Sequence, residues 1–576
     1  MGIETDGSGS RRRRARIVSI RPEINAPSPA ASRSSGIARY ILLFFLAFVA
    51  VLLCTGPVVE PYDEGVILFG AARVLHGDVL HRDFYANYGP GQFYSLALLF
   101  EVFSPSILVE RLWDAFTRAL SPPLVFAILT GTGLFGGRRW IPATAAVAAV
   151  VWLASIGFPG YPVFPALAAT LASVACLAPV LARRRSGPAR GARLVAAGFL
   201  VGVATAFRYD VGFLVAVTEV AVLAARFLCS GPPVRVAARE AALASLWFGL
   251  GLALLAAPLI LAYVAAGAID GFVLDIVTLS SRSYVQMRSL PPPGIAALVG
   301  NPLTWAVYLP LVAVAAATAV VLAMARQTTD RARIWPVVLL AAITLAAFAK
   351  GFVRISGIHM AMAIIASLVL LAILVACARR LGPVVQTLVA VAVILAGACT
   401  ELEAAQGLAV LARNTAWLRS GADCRTPGGL ERLRCFETET KRLDAVRYVR
   451  RETAPDEPIF VGLGRHDKIF ENDVLFYFLA GRPSATAWHH MDPGVQTTAM
   501  VQRRMVAELD RRRTKVVVIE TEWDTVAEPN GSAVGSGVTL LDDYIRAHYQ
   551  PVAHFGDIAV LRRVSDSGPD PGPDPR

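Results

Sequence analysis

Residues Glu60–Tyr94 read "EPYDEGVILFGAARVLHGDVLHRDFYANYGPGQFY". Directly ahead of them, 39–59 is an apolar run long enough to cross a bilayer, for which ~20 residues suffice. The stretch behind it crowds acids, His, Arg and Tyr together and ends in Gly-Pro-Gly. It reads as the first loop of a membrane protein. Asp63 and Glu64 sit at the exit of the first span, facing the water–lipid boundary. Residues 66–75 have enough apolar character for a short helix lying in the interface. "HGDVLHRDF" supplies a turn that leads to Asp83, and "YGPGQFY" returns the chain toward apolar 93–103, which is too short for a span.

The bulk composition agrees. Of 576 residues, 55% are hydrophobic and 17% charged, and the mean hydropathy is +0.54. A polytopic membrane protein follows. The net charge of +12 does not indicate nucleic acid as a partner, because the basic residues form short clusters between apolar runs instead of one patch.

Further spans are expected at 107–135, 140–157, 161–182, 192–207, 210–229, 240–265, 303–325, 334–349, 357–378 and 383–400, about eleven in all. The polar segment 1–38, with Arg11–Arg14, reads as a disordered cytoplasmic tail and not a signal peptide. With that end inside, the inner loops hold Arg138/Arg139, Arg183–Arg185 with Arg190 and Arg193, Arg235/Arg239, Arg326/Arg331/Arg333 and Arg379/Arg380. Every dense Arg cluster then falls on one side, as the positive-inside rule requires. The protein is expected in the plasma membrane, with its C-terminal region extracytoplasmic.

Charges on the outer side run against that trend, so topology does not account for them. They are Arg208 and Asp210 in "FRYDVG" (207–212), Asp270, Asp275, Arg282 and Arg288 in the long loop 266–302, and Lys350, Arg354 and His359 in "AKGFVRISGIHM". From 401 a soluble α/β pattern begins and runs to 565, linked through 401–440. "EPIFVGLG" (457–464) and "KVVVIE" (515–520) read as strands, with an amphipathic helix at 498–513 between them. A helix at 540–549 and a strand at 557–564 follow, then a disordered tail at 566–576. Of seven Cys, five lie in or beside apolar segments. Cys424 and Cys435 could form a disulfide if their region is extracytoplasmic. His489/His490 lack further ligands at metal-binding spacing and read as a surface pair. Glu110, Arg111, Asp114 and Arg118 are spaced for mutual pairing on one helix face; they either line a groove of the bundle or brace it, and the brace is the preferred reading.

An acidic pair after the first span, a long loop with Gly-x-x-x-x-Arg-Asp-Phe (Gly77–Phe84) and Gly-Pro-Gly (Gly89–Gly91), "FRYDVG", and the Arg…His of "VRISGIH" (353–359) together resemble the GT-C membrane glycosyltransferases. The likeness is to the bacterial polyprenyl-phosphate-sugar transferases related to protein O-mannosyltransferases and the lipid A aminoarabinose transferase. A soluble α/β domain after the last helix is similar too. The resemblance implies a GT-C-like fold of helices 39–400 and an inverting hexosyl or pentosyl transfer. The sugar passes from a polyprenyl-phosphate donor to a hydroxyl of a cell-envelope acceptor. Some proteins of the broader fold use a divalent cation; none is obligatory here, since Arg can neutralise a monophosphate. Ser356 and Gly357 stand where such proteins often carry an acid, so no carboxylate role is expected there.

Such transfer needs a general base for the acceptor hydroxyl, a contribution of typically ~10²–10⁴-fold. Asp63 is the first candidate and Glu64 the second, within the loop 60–94. The departing phosphate needs cations that match its oxygens. Arg354, Arg208 and Arg282 are the candidates, with His359 as auxiliary donor and Asp83 and Asp210 as further substrate-binding positions. Bland readings stand beside these. Asp63/Glu64 could mark the polar end of a span, Arg82/Asp83 a turn pair, Arg208/Asp210 a structural ion pair, and Arg354 a snorkelling side chain. A transporter or flippase of lipid-linked sugars is the main alternative function, but it would favour mid-membrane charges and repeated halves. A non-catalytic polysaccharide assembly protein is the third.

Overall fold

A computed structural model describes residues 29–564 apart from 136, 183–187, 230–232, 328–330, 380, 420–425 and 427–428. Both tails, Arg183–Arg185, Arg380 and Cys424 therefore lie outside the described residues. The apolar runs fold as helices because a backbone in lipid must satisfy its own polar groups. In chain order these are α1 (Pro29–Cys54), α2 (Asp63–Leu75), α3 (Pro90–Phe103), α4 (Ile107–Ala119), α5 (Ser121–Gly131), α6 (Trp140–Ser155), α7 (Val163–Ala182), α8 (Pro188–Phe207), α9 (Tyr209–Leu228) and α10 (Val234–Ala265). A broken segment follows, with α11 (Ile269–Phe272), a π-helix (Val273–Tyr284), α12 (Val285–Arg288) and α13 (Ile295–Gly300). Then come α14 (Leu309–Gln327), α15 (Trp335–Gly351), α16 (Gly357–Ala378) and α17 (Pro383–Arg419).

Among the described residues, nine helices are long and apolar enough to cross a membrane. The two other expected segments are shorter. The segment 107–135 splits into α4 and α5, where Pro122 and Pro123 open a new first turn, and 140–157 is the 16-residue α6. Helix α16 is the central post, with 89% of its apolar window buried against 11% for α1 and for α10. Helix α17 runs past the expected end at 400 to Arg419.

The C-terminal unit holds α18 (Thr440–Glu452), β1 (Ile459–Leu463), α19 (Leu475–Ala480), α20 (Ala499–Arg511), β2 (Val516–Glu520), α21 (Leu540–His548), β3 (Tyr549–Phe555) and β4 (Ile558–Arg563). Its sheet has the order β1-β2-β4-β3. Strands β1 and β2 are parallel, with Ile459 opposite Val516; β4 runs antiparallel to both of its neighbours. Strand β3 is not predicted by the alternation of its residues, because Pro551 interrupts the pattern. As the outer strand it can lose a ladder donor without harm. Cys435 is disulfide-bonded.

The unit is seated on the first loop. Leu475 N donates to Pro61 O at 2.9 Å, Tyr85 N to Ala487 O at 3.0 Å, and Val59 N to Glu437 O at 3.0 Å. Helix α2 is thus not interfacial as its apolar face suggested. Glu64 through Ala72 are buried, and the helix packs against α3 and α19. Gly65 makes this approach feasible, since a Cβ there would fall 2.5 Å from Leu475 N.

Candidate active site

Asp63 and Glu64 fill the first turn of α2, where unpaired N–H groups favour negative charge. Three acids meet there, and they divide. Glu60 accepts from Tyr62 N (2.9 Å) and Glu64 N (3.0 Å), while Glu64 accepts from Glu60 N (3.1 Å). This is reciprocal capping of the capping-box kind. Glu64 is also buried under Arg111, whose Nε and Nη2 donate to its two oxygens at 2.6 and 2.8 Å. Asp63 is left over. It is half-buried, and no hydrogen bond or ion pair reaches its carboxylate from the described residues. Burial holds Asp63 well above the usual carboxylate range. Glu60, Glu471 and Asp492 push the same way, and the Arg288 guanidinium pulls back. A carboxylate so placed holds an accepted proton more readily than an exposed one does.

Three corners bring cations to the same face. At the α8–α9 corner, Arg208 Nε and Nη2 donate to Asp210 at 2.9 and 2.7 Å, and its guanidinium lies 5.3 and 5.8 Å from the Tyr88 and Tyr161 ring centres. Gly-Pro-Gly puts Tyr88 there. Gly89 N donates to Phe207 O at 3.2 Å, and a Cβ on Gly89 would lie 2.1 Å from Ala206 O. At the end of α15, Lys350 Nζ donates to Tyr161 Oη at 3.2 Å and, among the described residues, pairs with no acid. Past it, His359 Nδ1 meets Ser356 Oγ at 2.8 Å, and its ring lies 6.1 Å from Tyr161. Arg354 grips Glu528 of the C-terminal unit through both terminal nitrogens, Nη1 to Oε2 at 2.8 Å. Arg288 Nη1 stands 3.6 Å from the same oxygen. Leu290 N donates to Val353 O at 3.1 Å, which ties the two arginine-bearing segments together.

Other expected positions stand apart. Asp83 is held in its own turn by Val79 N and Arg82 Nη2, each at 2.7 Å. Arg282 belongs to the π-helix, but its side chain lies outside the described residues. The brace expected on α4 is present. Arg118 Nε pairs with Asp114 at 2.8 Å and its guanidinium tops the Phe164 ring at 3.7 Å. Its Nη atoms also donate to the carbonyls of Leu153, Ile156, Gly157 and Phe158.

Several site residues were not singled out from sequence. Tyr161, joined to Tyr88, Arg208, Lys350 and His359, is one; its signal was an aromatic bracketed by Pro159 and Pro162 between two spans. Arg288 and Lys350 stood out only as charges on the wrong side for topology. Asp492 carried no local signal. It accepts from Tyr62 Oη at 2.8 Å and Tyr85 Oη at 3.2 Å, which seats the C-terminal unit beside Asp63. His489 and His490 are not a surface pair. Both are 1% exposed, packed on Phe69, Phe84 and Tyr85, because the loop that carries them is the docking face. Burial pushes His490 down to about 4.

Among the described residues, Glu520, Glu522 and Asp557 are the acids drawn close enough to share a metal ion. Lys441 Nζ already sits among them, 2.6 Å from Glu522 and 2.9 Å from Asp557, away from Asp63.

No family model matches the chain, and no curated protein sequence matches it. Solved structures do. ArnT from Cupriavidus metallidurans bound to undecaprenyl phosphate superposes with a TM-score of 0.53 at 15% identity, over 94% of this chain and 100% of that one. The fold is GT-C. The archaeal oligosaccharyltransferase AglB from Archaeoglobus fulgidus, in complex with an inhibitory peptide and a dolichol-phosphate, gives 0.48 at 13% identity, over 93% of this chain and 75% of that one.

In this GT-C chain an apolar groove of about 640 Å³ lies between α1, α4, α5, α7 and α8, with Tyr40, Phe44, Trp113, Ala168 and Val203 in its wall. Phe207 also lines it, so the groove reaches the residue next to Arg208.

Proposed function

We propose that the protein is a membrane glycosyltransferase that moves a sugar from a polyprenyl-phosphate donor to a hydroxyl of a cell-envelope acceptor. The observation that carries this reading is Asp63, the one acid of the first loop with no partner among the described residues, acted on by the Arg288 guanidinium and next to Tyr88, which feels both its charge and that of Arg208. In the proposed step Asp63 takes the proton of the acceptor hydroxyl as its oxygen bonds to the anomeric carbon. The bond from that carbon to the donor phosphate breaks, and its electron pair leaves with the polyprenyl phosphate. Inversion follows from direct attack opposite the leaving group.

Lys350, which pairs with no acid among the described residues, and Arg208, flanked by the Tyr88 and Tyr161 rings, are the proposed phosphate ligands, with Arg354 and Arg288 behind them. His359 is an auxiliary donor. Glu64, committed to Arg111, supports the turn on this reading. The groove ending at Phe207 is proposed to take the polyprenyl tail. The chain alternation puts Arg138/Arg139, Arg190, Arg235 and Arg326 at the helix ends opposite the site, which supports an extracytoplasmic site and C-terminal unit.

The test supplies membranes with labelled polyprenyl-phosphate sugars and compares wild type with Asp63→Asn at matched expression. Label moved to acceptor by wild type and reduced ~10²-fold or more by the variant is the expected result. Transfer indifferent to the variant would move the base elsewhere. Label carried across the membrane but never transferred would make the protein a transporter.

A further inference from the structure

Eighteen residues, 521–538, lie between β2 and Thr539, the N-cap of α21, with only the three-residue 3-10 turn Gly531–Ala533 among them. Connections this long without structure of their own are uncommon in compact domains and are often lids. This one reaches from the sheet to the arginines of the site. Gly531 is pressed on α12, where a Cβ would fall 2.6 Å from Met287 Sδ. Asn530 Nδ2 donates to Glu528 Oε2 at 3.0 Å and its Oδ1 accepts from Ser532 N at 3.0 Å. The carboxylate is thus held out at the tip of a small built turn.

Both Glu528 oxygens are taken by the Arg354 fork, with Arg288 beside them. Burial pushes the Glu528 carboxyl up, but the bonds from Arg354 and Asn530 outweigh it and hold it ionised below its usual range. A carboxylate seated two-to-two on a guanidinium fork has the shape and charge of two oxygens of a phosphate monoester. Arg208 meets its carboxylate within its own corner, two residues along. Arg354 meets one borrowed from a loop 174 residues away.

We infer that Glu528 is an internal stand-in for the donor phosphate, and that the loop 521–538 is a latch which the lipid phosphate displaces when it enters. This rests on the reading of the arginines as phosphate ligands given above. Without donor, Glu528 keeps Arg354 and Arg288 extended and neutralised. With donor, the phosphate takes the fork, Glu528 is expelled by like charge, and the loop is released. The carboxylate then competes with donor for the site, and removing its charge strengthens donor binding.

The full chain in detergent, titrated with undecaprenyl phosphate, gives the test. Hydrogen exchange of 521–538 is followed beside the binding isotherm for wild type, Glu528→Gln and Arg354→Ala. The latch predicts faster exchange in 521–538 on saturation of wild type, exchange already fast in unliganded Glu528→Gln, and binding to that variant about tenfold tighter, an energy of ~1.4 kcal/mol. Binding lost in Arg354→Ala, with unchanged loop exchange and unchanged affinity in Glu528→Gln, would overturn the latch and leave the phosphate site standing. Binding indifferent to Arg354→Ala would overturn the reading of the arginines and the latch with it. Inorganic phosphate in place of the lipid separates recognition of the headgroup from anchoring by the tail: release of the loop by either supports the latch.

Discussion

Glu60, Asp63 and Glu64 lie within five positions and do three different things, so they should fail differently. Glu64→Gln leaves buried Arg111 with only the longer contact to Glu110 at 3.6 Å, and breaking such a buried pair costs up to ~3–5 kcal/mol. The expected readout is a lowered Tm in detergent. Asp63→Asn should act the opposite way on stability. Its carboxyl is raised in the folded state by burial and by its acidic neighbours, so ionising it works against folding as pH climbs from the ordinary carboxylate range through the raised value. At neutral pH the Asn variant should therefore melt no lower than wild type while losing transfer. The same shift sets the pH profile. A base that must be ionised gives an acid limb above the ordinary carboxylate range. Glu471→Gln, by removing one negative neighbour, should slide that limb to lower pH, and Arg288→Gln should slide it up. A limb that stays put in both would remove Asp63 from the proton transfer.

At the level of elements, two close approaches position the site, and both depend on glycine. Gly65→Ala drives a methyl into Leu475 N and should part α2 from α19; Gly89→Ala meets the Ala206 carbonyl and should push Tyr88 off Arg208. Backbone contacts of this kind do not yield as a flexible side chain would, so each change should cost of order 1–3 kcal/mol. Gly89→Ala should weaken donor affinity more than it lowers Tm, which parallel binding and melting curves would reveal. The spans themselves were legible in sequence, because a bilayer imposes length and apolarity on each helix alone. The arginine-rich ends were legible for the same reason. The burial of α2 was not. Its apolar face looks alike whether lipid or protein covers it, and the covering element, α19, lies about 400 residues on. Asp63 could be picked out by its place after the first span, but its separation from Glu64 required seeing Arg111 turn one way and leave the other acid bare.

Across the whole molecule, the C-terminal unit completes the site instead of hanging beside it. Asp492 gathers the hydroxyls of Tyr62 and Tyr85, and Glu471 and Glu528 face the arginines from the same side. Asp492→Ala removes an acceptor shared by two buried phenols and leaves Tyr62 Oη with the Met491 carbonyl at 3.1 Å, a loss of ~0.5–1.5 kcal/mol for each hydrogen bond. The unit should then come away more readily, seen as faster proteolysis between α17 and α18 in the full chain. The acid limb of any surviving activity should move toward that of an exposed carboxylate. Arg354→Ala should leave this docking nearly intact, since Glu528 is only one of several ties. The docking also sets a clock. Tyr62 and its acceptor are 430 positions apart in the chain, and at 5–20 residues per second the ribosome needs roughly 20–90 s to bridge that interval. Until then the first loop waits in water with Asp63 solvated and titrating as an ordinary acid. On the proposed function a nascent chain thus reaches the membrane long before it can act on a lipid there, and translation of the C-terminal unit arms it.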